Sequence, residues 1–114
     1  MIHYMKLHAK PFENIKSGIK TIELRLNDEK RRIISVGDTI SFTSTSNADE
    51  TITANVTGIH KFDNFVELYD ALPLDKCGYL PHELASAAPE DMNVYYSVEQ
   101  QQKYGVVGIE IQII

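Results

Sequence analysis

The chain has one cysteine, Cys77, no tryptophan, and only six glycines and four prolines among its 114 residues. A single cysteine excludes an internal disulfide and any metal site built from several cysteines of this chain, and it fits a reducing compartment. No window approaches the roughly 20 apolar residues of a membrane-spanning helix, and the N-terminal residues lack a basic region followed by an apolar stretch. We therefore predict a cytoplasmic protein that is neither secreted nor membrane-bound.

An excess of positive charge is also absent, because the formal net charge is −5. This argues against a protein that coats nucleic acid through a uniformly basic surface. Residues 10–32, however, contain seven of the 11 Lys and Arg residues against four acids. This asymmetry predicts one face that accepts an anion on an otherwise acidic body. The alternative is a solvated charged loop at Lys30, Arg31 and Arg32.

The organisation of the chain is simple. Its hydrophobic content of 43% is enough to fill one core, and we find no repeat, low-complexity tract or flexible linker. We therefore predict a single domain over residues 1–114. The four histidines and Cys77 are scattered without the spacing of metal ligands, so we predict no metal and no cofactor. We expect a monomer or a weak homodimer.

The first part of the chain predicts a strand, a helix and a second strand. Residues 2–8 are short and mixed, and they predict a strand in which Ile2 and Tyr4, with Leu7 as a further candidate, are the apolar members. A helix of about two turns follows and ends at Gly18, since glycine suits a left-handed position after a helix. From residue 20 to residue 26, apolar and polar side chains alternate, which predicts a strand with one polar face.

The middle of the chain predicts a hairpin with a bend. Residues 39–42 and 52–56 alternate like strands, and residues 46–49 have the composition of the turn between them. Gly58 interrupts the alternation of the second strand. An interruption of this kind indicates a bulge or a sharp bend in the sheet.

The last part of the chain is mostly helical until its final strand. We predict that Asp63 caps a helix that Pro73 ends. Residues 74–94 are the least regular part of the sequence, with one short helix at their centre. Ser97 begins a capping box for the last helix, and residues 106–113 are strongly β-prone.

Together these elements predict an α+β fold. About five or six mostly antiparallel strands with short helices between them indicate a small, strongly bent sheet or barrel with helices packed at its ends. An open ferredoxin-like sandwich is the alternative, and it would require longer helices.

The densest polar group lies within residues 18–25, where Lys20 precedes Glu23 and Arg25 on one face of a strand. On a flat surface these groups would form a weak ion network, whereas in a cleft they would form a preorganised site for a phosphate, an amide or a base edge. A nearby carboxylate favours the charged form of a lysine. The group therefore suits anion binding better than proton abstraction.

Three runs of residues resemble the ASCH domain family, in its small bacterial type. They are Gly-x-Lys-Thr-x-Glu-x-Arg at residues 18–25, Val-Gly-Asp-Thr-Ile-Ser-Phe at residues 36–42, and the ending from Tyr95 to Ile111. They occur in the family's order and span nearly the whole chain. The resemblance implies a PUA-like β-barrel with a positively lined cleft and a function related to RNA.

The leading functional prediction is binding of RNA or of a modified nucleoside in that cleft. Its predicted lining residues are Lys20, Thr21, Glu23, Arg25 and Tyr96. Lys20 and Arg25 would hold phosphate or carbonyl oxygens, while Glu23 would accept hydrogen bonds from the ligand or orient the two cations. Either Tyr96 or its neighbour Tyr95 could stack on a base, although adjacent residues of a strand point in opposite directions.

The resemblance leaves open whether the protein is an enzyme. Some small bacterial relatives deacetylate N4-acetylcytidine with a lysine, a threonine and a glutamate; Lys20 matches the lysine, but Glu23 occupies the position of the threonine. Other relatives have been linked to RNA cleavage with the same lysine and a serine before the last helix, which here is Ser97, while an expected tyrosine falls near Asn14. A hydrolase would thus use Lys20, Glu23 and Ser97. Ser97 is equally explained as a helix N-cap, and a third hypothesis is a protein-interaction module.

Overall fold

A curled five-stranded sheet forms the centre of the computed structural model, which describes residues 1–114. The strand order is β1-β3-β4-β5-β2, in which β1 and β3 are parallel and the other three pairs are antiparallel. The fold is α+β and consistent with a PUA-like half-barrel, as predicted. The strands are β1 (Ile2–Leu7), β2 (Ile22–Leu26), β3 (Thr39–Ser44), β4 (Thr51–Phe62) and β5 (Val106–Ile113).

Short helices connect the strands. The α-helices are α1 (Ala9–Lys16), α2 (Glu29–Arg32), α3 (Phe65–Ala71) and α4 (Val98–Tyr104). Residues 74–94, which we call the 3-10 segment, contain three 3-10 helices, at Leu74–Lys76, Pro81–Ser86 and Pro89–Val94. None of these helices combines the length and the hydrophobicity that a membrane-spanning helix requires.

Two apolar clusters hold the helices on the sheet. The larger contains 13 buried residues and lies inside the curl of β1, β3, β4 and β5, where α1 contributes Phe12 and Ile15. These two residues are three positions apart, so they lie on one face of α1 and are buried together. The smaller cluster of eight residues joins β2 to α3 through Phe65 and Leu68. The helices therefore cover the open sides of the half-barrel.

The predicted bend at Gly58 is present. The pairing of β4 with β5 shifts register between Val56 and Gly58. A Cβ atom at residue 58 would lie 2.7 Å from Glu110 Oε2, so glycine leaves room for the side chain from the neighbouring strand. The bulge lets the 12-residue strand β4 curl around the core.

The edge strand β1 has apolar side chains on both of its faces. Ile2 and Tyr4 are 56% and 68% exposed, whereas Met5 and Leu7 are buried on the other face together with His3. An edge strand can expose apolar side chains on its outer face, and the buried histidine is satisfied by Asp38, whose Oδ2 lies 2.8 Å from His3 Nε2. The strand prediction is confirmed, and of its named apolar residues only Leu7 lies on the buried face.

Two further local predictions require correction. The N-cap of α3 is Asn64, whose side chain accepts a hydrogen bond from Glu67 N, and not the preceding Asp63. The charged run at residues 30–32 is a short helix and not a loop, because Asp28 caps α2 and pairs with Arg31 at 3.3 Å. Lys30 and Arg32 are nevertheless exposed to solvent.

Gly108 offers a test of packing between β5 and the helices. A Cβ atom there would lie 2.6 Å from Leu72 Cδ1 and 3.3 Å from Ile22 Cγ2, within the smaller apolar cluster. We expect Gly108→Ala to lower the free energy of unfolding by about 1–3 kcal/mol through overpacking. Denaturant unfolding of Gly58→Ala is the control, since the closest contact of the added methyl group there is the carboxylate of Glu110, which can move aside, and the Glu110 Cβ lies at an ordinary contact distance of 3.4 Å. Equal effects of the two changes would contradict this account.

Candidate functional site

The half-barrel remains open between its two edge strands, β1 and β2. These strands do not pair, and a side chain spans the gap instead: Arg25 Nη2 donates a hydrogen bond to the carbonyl oxygen of Lys6 at 3.0 Å. A cavity of about 440 Å³ opens along this gap. We call this cavity the cleft.

Five parts of the chain line the cleft. The end of β1 and α1 as far as Asn14 form one side, and β2 with the turn before it forms the floor. The 3-10 segment with Tyr95 and Tyr96, together with Tyr69 of α3, forms the opposite wall. The lining contains four Lys or Arg residues and three Asp or Glu residues, so it is slightly positive although the chain is acidic.

Glu23 is the centre of the polar floor. Its Oε1 lies 2.7 Å from Lys20 Nζ, and its Oε2 lies 2.8 Å from Arg25 Nη2 and 2.9 Å from Arg25 Nε. Glu23 is 3% exposed and Lys20 is 9% exposed. Both carboxylate oxygens are therefore engaged by cations in a site that bulk water hardly reaches.

Local structure brings these three groups together. Glu23 and Arg25 are two positions apart on β2, so their side chains share one face of the strand. Lys20 lies on the turn that follows α1, where Gly18 has a φ of 83° and the Lys20 amide donates to Asn14 O. The Lys20 side chain then passes over Gly78, where a Cβ atom would lie 3.3 Å from Lys20 Cδ.

The electrostatics of the floor favour the ionised network. Burial alone would raise the pKa of Glu23, but the charges and hydrogen bonds of Lys20 and Arg25 outweigh burial and lower it. Burial would likewise lower the pKa of Arg25, and Glu23 reverses this effect. The carboxylate is therefore ionised at neutral pH and holds both cations in place.

Two titratable groups of the wall, Cys77 and Tyr79, are neutral because burial raises the pKa of each. Burial raises the pKa of Cys77 to about 11, so its thiol is protonated and a poor nucleophile. Tyr79 donates a hydrogen bond to Asp91 Oδ2 at 2.8 Å, and its hydroxyl lies 2.6 Å from that of Tyr69. This chain of hydrogen bonds ties the 3-10 segment to α3.

The structure brings together four of the residues predicted for the site. Lys20, Glu23, Arg25 and Tyr96 line the cleft. Tyr95 lines the cleft as well. The two tyrosines follow a 3-10 helix and are not part of a strand, so both can face the same cavity. The prediction that they lie on a strand and point in opposite directions was therefore wrong.

Two predicted residues lie outside the cleft lining. Thr21 bonds through its backbone to Lys76 O and Ile111 N, both at 2.9 Å. Ser97 is the N-cap of α4, and its Oγ accepts a hydrogen bond from Gln100 N at 3.1 Å. Their catalytic or binding roles stay predictions, and neither side chain lines the cavity that holds Lys20.

Sequence reasoning did not identify most of the wall. Asn14, Tyr69, Tyr79 and Asp91 line the cleft and were not predicted to do so. The 3-10 segment has no hydrophobic periodicity, so the sequence carried no signal for which of its side chains would face inward. No group of three or more His, Cys, Asp or Glu residues is arranged to hold a metal ion.

Comparison with known proteins identifies the family. The ASCH domain profile matches residues 5–114. The chain belongs to the ASCH domain family. No curated protein gives a significant match in sequence.

Solved structures have the same fold. Hypothetical protein PH0355 is 34% identical with a TM-score of 0.81, and each chain covers 100% of the other. Protein PF0455 from Pyrococcus furiosus is also 34% identical, with a TM-score of 0.72 over 100% of this chain and 98% of that one. ASCH from Zymomonas mobilis is 17% identical with a TM-score of 0.66, and the match covers 97% of this chain and 66% of the longer protein.

Removal of the central carboxylate tests the floor of the cleft. We expect Glu23→Gln to lower the free energy of unfolding at neutral pH by about 3–5 kcal/mol, because two buried cations lose their partner. Since the folded-state pKa of Glu23 lies below its ordinary value of 4.5, its contribution is complete above that pH and is lost as the pH falls through the folded pKa. As the pH is lowered through the folded pKa of Glu23, the free energy of unfolding should therefore fall less for the variant than for the wild type.

The matched control is Glu50→Gln, which removes a carboxylate from an exposed pair with Lys16 at 3.3 Å. Exposed pairs contribute less than about 1 kcal/mol. Urea unfolding of both variants at several pH values makes the comparison, and a Glu23 variant as stable as the Glu50 variant would show that the network does not stabilise the fold.

Proposed function

We propose that the cleft of this ASCH domain binds RNA or a modified nucleoside. The observation that carries the proposal is the buried network of Lys20, Glu23 and Arg25 on the floor of a cavity that is open to ligand. The ammonium of Lys20 has three donors, and only one partner, Glu23, lies within bonding distance. The remaining donors are available to phosphate or carbonyl oxygens of a ligand.

The size and the aromatic lining of the cleft support the same function. Its volume of about 440 Å³ is within the range of small-molecule sites, about 300–1,000 Å³. Tyr95 is 63% exposed beside the more deeply buried Tyr96, which packs against Phe65. Tyr95 therefore offers a free ring on which an unpaired base could stack, as in single-strand recognition.

The same geometry favours binding over hydrolysis. Lys20 Nζ lies 2.7 Å from a carboxylate oxygen of Glu23, so this nitrogen is engaged in an ion pair and is not a free base beside a substrate. Neither Thr21 nor Ser97 is among the residues that line the cleft, and the Cys77 thiol is protonated. The lining thus supplies no activated nucleophile beside Lys20.

Binding is tested with a short, fluorescently labelled single-stranded RNA and with free nucleosides. We expect weak binding of RNA that falls as salt is raised, because contacts to phosphate release counterions. Lys20→Ala should weaken it by about tenfold or more, the loss of one charge-assisted hydrogen bond. Lys16→Ala is the control, since its side chain is 57% exposed and pairs with Glu50.

A salt-independent response, or equal binding by both lysine variants, would count against a ligand in the cleft. Absence of any binding to RNA or nucleosides, together with recovery of a protein partner from lysate after ribonuclease treatment, would favour the protein-interaction module.

The hydrolase alternative is tested separately. We expect no acetate release from N4-acetylcytidine and no cleavage of a mixed RNA pool, because the cleft lacks an activated nucleophile. Chromatography of the products after incubation with wild-type protein and with Lys20→Ala measures this. Product that forms with the wild type and is missing with the variant would replace the binding function by an enzymatic one.

A further inference from the structure

The floor of the cleft carries one positive charge that no protein group balances. Lys20 and Arg25 share a single carboxylate, Glu23, and no other carboxylate forms an ion pair with either of them. The side chains of the two cations are only 10% and 15% exposed. Buried charges in proteins are normally paired, so a surplus of one buried cation indicates that a partner binds there.

The neighbouring charges do not cancel this surplus. Lys10 pairs with Glu83 at 3.2 Å across the mouth of the cleft, and Arg31 pairs with Asp28. Asp91 is exposed in the wall, accepts hydrogen bonds from Tyr79 and from the amide of Ala88, and forms no ion pair with either buried cation. The exposed Lys6 offsets its charge, so the whole lining still has four Lys or Arg residues against three Asp or Glu residues. The Cys77 thiol is neutral, since burial raises its pKa.

Glu23 has a positioning role in this arrangement. Both of its oxygens already accept hydrogen bonds or ion pairs from Lys20 and Arg25, and it is 3% exposed. The groups that remain free to meet a ligand are therefore N–H donors of the two cations. A floor that offers donors and one net positive charge selects an acceptor group with one negative charge.

We propose that the floor of the cleft binds a singly charged oxyanion, and that its source is a phosphodiester group of RNA. The inference rests on the proposed function and adds which part of the ligand lies on the floor. Lys20 and Arg25 hold the phosphate oxygens, and the base attached to that nucleotide lies outward, at Tyr95. A neutral base edge on the floor would leave the surplus charge unbalanced.

The experiment is a titration of the isotope-labelled protein with small probes, followed by NMR at the backbone amides of Lys20 and Gly78. Dimethyl phosphate carries one negative charge, and trimethyl phosphate is its uncharged counterpart. We expect saturable shifts at both amides with dimethyl phosphate and none with trimethyl phosphate. Acetate tests whether the floor prefers a carboxylate. Stronger binding of acetate than of dimethyl phosphate would show that the bound oxyanion is not a phosphodiester.

Two substitutions of Lys20 separate the effect of its charge on binding from any effect on folding. Lys20→Met removes the surplus charge and keeps the apolar stem, so we expect it to weaken dimethyl phosphate binding by about tenfold or more. Lys20→Arg keeps the charge and should retain most of the binding. In RNA titrations, Lys20→Met should also reduce the slope of log K against log salt by about 0.7, the value for one phosphate contact on a single strand.

The outcomes distinguish this inference from the function on which it rests. If RNA or nucleosides bind in the cleft but trimethyl phosphate shifts the two amides as dimethyl phosphate does, or Lys20→Met leaves the salt slope unchanged, the oxyanion assignment is wrong and the binding function stands. If dimethyl phosphate binds at Lys20 but RNA and nucleosides do not, the anion site stands and its source is not RNA.

Discussion

The structure of the cleft depends on one carboxylate held between two cations. Glu23 is buried on β2, and burial of its charge is tolerated only because Lys20 and Arg25 reach it from two directions. The same contact fixes the turn that carries Lys20 against α1, and it directs Arg25 toward the carbonyl of Lys6 on the opposite edge. The same three side chains therefore determine both the local stability and the shape of the cleft floor.

Much of the fold was predictable, because the elements that make it have strong local signals. The capping box at Ser97, the alternation that leads to Gly58 and the two buried residues of α1 each indicated the element that the structure contains. The edge strand β1 was harder. Ile2 and Tyr4 are exposed although Leu7 is buried, and the burial of His3 depends on its tertiary contact with Asp38, which the sequence does not reveal.

The floor of the candidate site was predictable from the sequence, but its wall was not. Lys20, Glu23 and Arg25 lie within six residues of one another, so strand periodicity and a turn were enough to group them. The wall comes from residues 74–96, which begin more than 50 positions after Lys20. The short 3-10 helices of this segment have no repeating hydrophobic pattern. Which of its tyrosines face inward is decided by long-range packing, such as that of Tyr96 on Phe65.

The way the 3-10 segment is held has an evolutionary consequence. Its hydrogen bonds are mostly local, such as Glu83 with Leu80 and Asp91 with Ala88, and it contributes no strand to the sheet. Substitutions there alter one boundary of the cavity while the framework that carries Lys20 keeps its ladder of paired strands. Exposed positions of the segment can therefore change with little penalty in folding, whereas Cys77 and Met92 are buried in the smaller apolar cluster and are constrained by it.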